Sequence, residues 1–198
     1  MASNYGELKA EIADWLDRSD LESKIPGFIS FAERSIFRKL RIPANEKVTE
    51  QTITTEDSLS VPTDYLEARS MMVNSVPVER VSDIYALNYA NTTGAARYFG
   101  RVGGEFIFRP GLNTGDVVTL NYWFDESGMS ADTDTTNVLA IADDLYMYAA
   151  IMEAEKYLGV EGRIAQTQAI FKNKLHELQS MADVSELSGS TSEIKSAY

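Results

Sequence analysis

Apolar positions at the start of the chain recur at helical spacing. Leu8, Ile12, Trp15 and Leu16 fall on one face, at i, i+4, i+7 and i+8, and Lys9, Glu11, Asp14 and Asp17 are left for solvent. Asn4 and Glu7 supply a start resembling a capping box. A second start, Ser19-Asp20-Leu21-Glu22, leads into a helix whose first turns tolerate Pro26 and which carries Phe28, Ile29, Ala32, Ile36 and Leu40. Pro43 marks its end. The pattern predicts an α-hairpin over residues 4–41.

From Val48 to Phe124 the periodicity changes to short runs rich in Val, Thr, Tyr and Phe, separated by Pro, Gly and Asn, as strands require. Gly103-Gly104 separates two such runs at the spacing of a two-residue hairpin that needs positive φ. After Asn113-Thr114-Gly115, Val118, Leu120, Tyr122 and Phe124 alternate with Val117, Thr119, Asn121 and Trp123, so one face is mostly apolar. One short helix, Asp83 to Tyr89 behind Ser82, interrupts the strands.

A polar loop over 125–137 precedes a long helix from Val138 to Leu158, stopped by Gly159. Ile141, Leu145, Tyr148, Ala149 and Met152 form one stripe and Leu139, Tyr146, Ala150, Ala154 and Tyr157 another, which predicts a helix covered on both sides that lies centrally or partly at a subunit interface. A last helix, Glu161 to Ala182, puts Ile164, Phe171, Leu175, Leu178 and Met181 on a stripe facing it. The remainder, 183–198, is rich in Ser, Thr and Gly and cannot bury enough of itself to offset its own ordering. If ordered, it is held by a partner, through the apolar pairs Val184 and Leu187, then Ile194 and Tyr198. The alternatives are a crystal contact or a continuation of the preceding helix. The fold class expected is α+β: terminal helical pairs forming a helical bundle, an inserted antiparallel β subdomain over 48–124, and an extended C-terminal tail. Residues 1–182 are expected to fold as a single domain.

Composition narrows the function more by exclusion than by suggestion. The chain has no cysteine, so disulfides, thiolate metal sites and cysteine nucleophiles are excluded. No stretch is long enough to span a membrane and no secretory signal is present, which predicts synthesis and assembly in a cytoplasm. A net charge of −12 is the wrong sign for gripping phosphate backbones, yet it suits a channel through which DNA slides without sticking.

Candidate chemistry is thin. The single histidine, His176, has no second histidine to complete a metal pair and reads as a solvated helix residue. Gly100 to Glu105 lacks the Gly-Lys-Ser/Thr of a phosphate loop and sits between strands. Asp132-Thr133-Asp134-Thr135-Thr136-Asn137 begins like a calcium loop but has Asn137 where the sharp turn needs Gly, and reads as a polar cap for the next helix. Asp143 and Asp144 are adjacent on a helix and diverge, so they are not a catalytic pair. The one local basic cluster is Arg34, Arg38, Lys39 and Arg41. It fits either a solvated C-terminal helix face, favoured by the helix dipole, or a contact with an acidic face of a neighbouring subunit.

Several segments resemble the head-tail adaptor, or connector, proteins of tailed bacteriophages. They are Leu59-Ser60-Val61-Pro62-Thr63-Asp64-Tyr65-Leu66-Glu67, Arg97-Tyr98-Phe99, Phe106-Ile107-Phe108-Arg109-Pro110 before the strand with Tyr122-Trp123, and above all Ala142-Asp143-Asp144-Leu145-Tyr146-Met147-Tyr148-Ala149-Ala150. The resemblance implies a dodecameric ring in the virion neck, docked on the portal protein and joining it to a tail nozzle or tail-tube protein. DNA would pass through the ring without specific binding. It implies no catalysis and no cofactor, and a C-terminal extension gripping the portal. Two other readings compete: a tail-completion or stopper protein of the same neck, and a carboxylate-dependent hydrolase using Glu105 or Asp125.

Overall fold

The computed structural model describes residues 2–54, 58–89, 91 and 94–188. The fold is α+β, with helix and sheet segregated along the chain as the periodicities predict. Two compact units form: one from the terminal segments, through Asn45 and from Glu126 onward, and one from Glu46–Asp125.

In the helical unit, α1 (Tyr5–Leu16) starts at Asn4, whose side chain accepts from Glu7 N at 2.9 Å. The Glu7 carboxylate reaches back to Ser3 N at 2.8 Å, satisfying a second early donor. The segment Ser19–Lys24 is a 3-10 helix, not the first turns of the next α-helix. That helix, α2, spans Ile25–Phe37 with Pro26 in its first turn, where a missing N–H costs nothing. Ile25, Phe28, Ile29, Ala32, Ile36 and Phe37 are buried, as the spacing requires.

The long helix expected over 138–158 is broken at Ala142 (φ −151°, ψ 61°) into α4 (Asn137–Ile141) and α5 (Asp143–Leu158). Periodicity cannot see this break, because the apolar spacing runs through it. Its cause is polar. Thr136 caps α4 by accepting from Leu139 N and shares a buried 2.8 Å hydrogen bond with the Tyr146 hydroxyl, while Asp143 accepts from Ala2 N at 3.0 Å. Asp143 and Asp144 thereby stand at the positive end of a new helix. Ile141, expected on the buried stripe, belongs to α4 and is exposed.

Helix α5 packs against α1, α2 and α6 (Glu161–Leu187), and Leu145, Tyr146, Ala149, Ala150, Ile151, Met152 and Ala154 are buried around it, so the helix is central, although Tyr157 of the second stripe is exposed near its end. Gly159 ends it with φ +68°. Helix α6 outruns α5, with 27 residues against 16, roughly 40 Å against 24 Å at 1.5 Å per residue. Lys174 ion-pairs with Asp144 in the first turn of α5, so the turns beyond it extend past that helix. This explains two differences from expectation. Phe171 is buried and Leu175 and Leu178 half-buried, but Met181 is exposed, and the helix continues through Leu187 instead of ending at Ala182.

The β unit consists of two four-stranded sheets. One has the order β1 (Glu46–Thr52), β8 (Val117–Phe124), β3 (Tyr65–Val73), β4 (Val76–Pro77); the other β2 (Ser58–Ser60), β7 (Glu105–Arg109), β6 (Tyr98–Val102), β5 (Glu79–Arg80). Met71, Val73, Val118, Leu120 and Tyr122 of the first share a core with Leu59, Phe99, Phe106 and Phe108 of the second. The Tyr65 and Phe106 rings meet edge-on at 5.4 Å between centroids. The β6–β7 hairpin turns at Gly103, φ +60°, with Val102 opposite Glu105 as expected. The strands pair antiparallel as expected, with one exception: β5 runs parallel to β6. A parallel pair needs a crossover, and the connection through α3 (Asp83–Asn88) supplies it. That helix lies against β6 at Gly100, where an added Cβ would stand 2.5 Å from the Ala86 Cβ.

Candidate interaction surfaces

The basic residues predicted as an interface do not act alike. Arg34, Arg38 and Lys39 are exposed at the end of α2. Lys39 lies over the Phe171 ring, 5.5 Å from its centroid. Arg41 is folded back instead: it donates to the carbonyls of Phe37 at 2.9 Å and Leu40 at 2.8 Å, where α2 leaves C-terminal acceptors unsatisfied. Its backbone is clamped by Gln179, which accepts from Arg41 N at 2.9 Å and donates to Arg41 O at 2.7 Å. Arg41 therefore ties the end of α2 to α6, and Arg34 and Arg38 are the members of the cluster turned outward.

Of the predicted tail residues, Val184 lies on the last turns of α6 and Leu187 is its final residue, while Ile194 and Tyr198 lie outside the described residues. Val184 is 68% exposed and Met181, one turn before it, 69%. Ser180, Ser185 and Ser188 surround them, so a narrow apolar ledge is framed by small hydroxyls. Helical spacing places Met181 on the stripe facing α5, so of this ledge only Val184 is legible in the sequence as a contact residue. The signal was present in length, since the apolar stripe of α6 continues beyond the stretch that α5 can cover.

A second exposed apolar surface was also missed. In α3 only Ala86 is buried, and Ile84, Tyr85 and Leu87 are exposed together with Tyr89 just after it. Tyr85, Tyr89 and Tyr98 form a closed set of ring contacts at 5.1 to 5.8 Å. A six-residue helix with three large apolar residues has more of them than one buried face can use, which is how the sequence signals the patch.

The acidic residues are largely committed to structural bonds. Glu33 is buried on α2 and accepts from Gly128 N at 3.1 Å and Met129 N at 3.2 Å, holding the loop after the β unit. Asp134 accepts from Ser130 N and Ala131 N, both at 2.8 Å, which holds its carboxyl below the usual range, and Asp132 ion-pairs with Lys9 at 2.6 Å. The segment that resembles a calcium loop thus works as a folded cap. Burial pushes the Glu126 carboxyl up, against the hydrogen bonds it accepts from Asn137 N and Asn45. At Asp64, burial would raise the pKa, but Lys47 at 2.6 Å and the Tyr122 hydroxyl at 2.9 Å outweigh it and hold the carboxyl low. Glu105 is exposed beside the β6–β7 turn and Asp125 follows β8. His176 is exposed on α6. Among the described residues no cluster of three or more His, Cys, Asp or Glu could hold a metal, and no helix is long and apolar enough to cross a membrane.

Surfaces built from exposed apolar ledges and unpaired arginines, beside carboxylates spent on loops and caps, suit a protein that binds other proteins. No curated protein sequence matches the chain. Residues 3–192, nearly its whole length, match the family described as SU10 adaptor protein, and the chain belongs to that family of phage head-tail adaptors.

Proposed function

We propose that this adaptor, a structural component of the virion that associates with other head and tail components, assembles as a dodecameric ring beneath the portal and joins it to the tail nozzle or tail tube. The observation that carries this reading is the apolar ledge of Met181 and Val184, which leads directly into the last residues of the chain. An apolar ledge at the end of a helix, followed in sequence by a Ser- and Gly-rich segment, suits a groove of a partner. The outward-facing Arg34 and Arg38 supply the contact between neighbouring subunits. Net charge supports the channel: at −12 per chain the ring repels duplex and lets it pass with little friction. The adaptor has no catalytic task in this scheme.

The deciding experiment is co-purification of the full chain and of a chain lacking residues 184–198 with the portal protein of the same phage. Loss of portal binding with thermal unfolding of the subunit unchanged is the expected outcome, and retained binding would sink the proposed grip. Tight binding of duplex DNA by the isolated protein at physiological salt would contradict the channel.

A further inference from the structure

Glu155, one turn before the end of α5, is 4% exposed, and neither of its carboxylate oxygens has a hydrogen-bond partner. Glu33 is as deeply buried but is answered by two backbone N–H groups, so Glu155 is left in an arrangement that folding alone does not justify. It lines a cavity of about 260 Å³ between α1, α5 and α6, together with Trp15, Tyr148, Arg163, Gln166 and Ile170. The volume lies below the roughly 300–1,000 Å³ of sites for drug-sized molecules and is suited to one side chain. Its chemistry is specific: a buried anion beside two aromatic rings, one of them the 43% exposed Trp15, is what a guanidinium seeks. Arg163 lines the same cavity without forming an ion pair to Glu155.

We propose that this cavity is a socket for an arginine side chain of a second copy of the chain, supplied by Arg34 or Arg38 at the end of its α2. The proposal rests on the ring reading above. Both arginines are exposed and without an ion pair among the described residues, in a chain with an excess of acid. Neither arginine answers its own subunit's Glu155, whose two oxygens have no hydrogen-bond partner. The Phe28 ring contacts Tyr157 at 5.7 Å, so the start of α2 lies beside the end of α5 and the two helices run antiparallel. Arg34 and Arg38 then stand roughly 9 and 15 Å along the axis from Phe28, and so roughly 6 and 12 Å beyond the level of Glu155, at 1.5 Å per residue. A contact that brings one copy's α2 end to another copy's α5 end is head-to-tail, the kind that closes into a ring when the rotation allows.

The socket gives opposite signs for folding and assembly, which a merely structural glutamate would not. In the full chain, Glu155→Gln removes a buried charge, so the dilute monomer should unfold at a higher temperature, while its self-association, read by sedimentation velocity, should weaken at least tenfold. Glu155→Met serves the same comparison if the glutamine variant fails to fold. Arg34→Gln with Arg38→Gln should weaken association by a similar factor and leave monomer unfolding unchanged, and adding Glu155→Gln to that pair should cost little more. Wild-type association by the Glu155 variant overturns the socket while leaving the ring intact. Losses that multiply when the variants are combined also overturn it, because the groups then do not meet. If Arg163→Gln lowers monomer stability and Glu155→Gln cancels that effect, the chain's own arginine is the occupant and the proposal fails. A wild-type chain that remains monomeric at every accessible concentration removes the ring reading and the socket together.

Discussion

Replacing Met181 and Val184 together by alanine separates a binding ledge from a piece of core. The two changes remove roughly five methylene equivalents, worth about 0.8 kcal/mol each when fully buried, or about 4 kcal/mol. Because both side chains are about two-thirds exposed in the subunit, about 2.7 kcal/mol of that remains to be gained on docking. Affinity for the portal, the partner proposed above, should therefore fall by about 80-fold, at 1.4 kcal/mol per factor of ten. The subunit should not lose stability, because alanine is the better helix former at an exposed position of α6. Titration of the full chain against purified portal, with thermal unfolding measured in parallel, checks both numbers. Unchanged affinity would refute the ledge as a contact, and a fall of several degrees in unfolding temperature would show that the two residues are already packed within the subunit.

Gly100→Ala forces α3 off β6, because the new Cβ would meet Ala86 at 2.5 Å; overpacking of this kind costs about 1–3 kcal/mol, to be read as a lower urea midpoint with the m-value unchanged. Thr136→Ala removes the cap of α4 and the hydroxyl bonded to Tyr146, and should cost about 1–2 kcal/mol in the same assay; Thr136→Ser, which keeps the oxygen, should recover most of it. Asp64 is held low in the folded state, so its stabilisation is present above its unfolded pKa of about 3.9 and is lost as pH falls through its lower folded value. Glu126 has the opposite sign: its raised carboxyl favours the folded state below its unfolded value and stops doing so as pH rises through the folded one. Urea titrations of Asp64→Asn between pH 7 and pH 3 should show a shallower acid loss than the wild type, and parallel curves would refute the assignment.

What the sequence revealed followed the range of the interaction. Caps, hairpins and stops depend on neighbours a few residues apart, and Asn4, Ser82, Gly103 and Gly159 act where local chemistry places them. The break at Ala142 was not legible, because it depends on Ala2 and on a hydroxyl pair, Thr136 and Tyr146, that only the folded chain brings together. The stripe through Leu145, Tyr148 and Met152 continues three residues on to Glu155, so a carboxylate at a core position could have been found by extending the count. Glu33, four residues after Ile29 on the buried face of α2, carries the same signal. Arg41 was misgrouped with Arg34 and Arg38 because a cluster in sequence says nothing of direction. Arg41 lies beyond the last turn of α2, where the carbonyls of Phe37 and Leu40 are the nearest acceptors.

The features left over after folding are of one kind. The ledge at Met181 and Val184, the apolar surface of α3 and the unanswered carboxylate of Glu155 are each unfavourable in an isolated subunit, by exposing apolar area or by burying a charge without a partner. A docking term of about 2.7 kcal/mol per subunit corresponds by itself to a dissociation constant on the order of 10 mM, too weak to hold a virion together. Repeated around the proposed ring it would act in concert, since each contact already made raises the effective concentration of the next. In such a ring, modest, narrow contacts on each copy would suffice for a permanent joint and still let single subunits dissociate and correct errors before it closed.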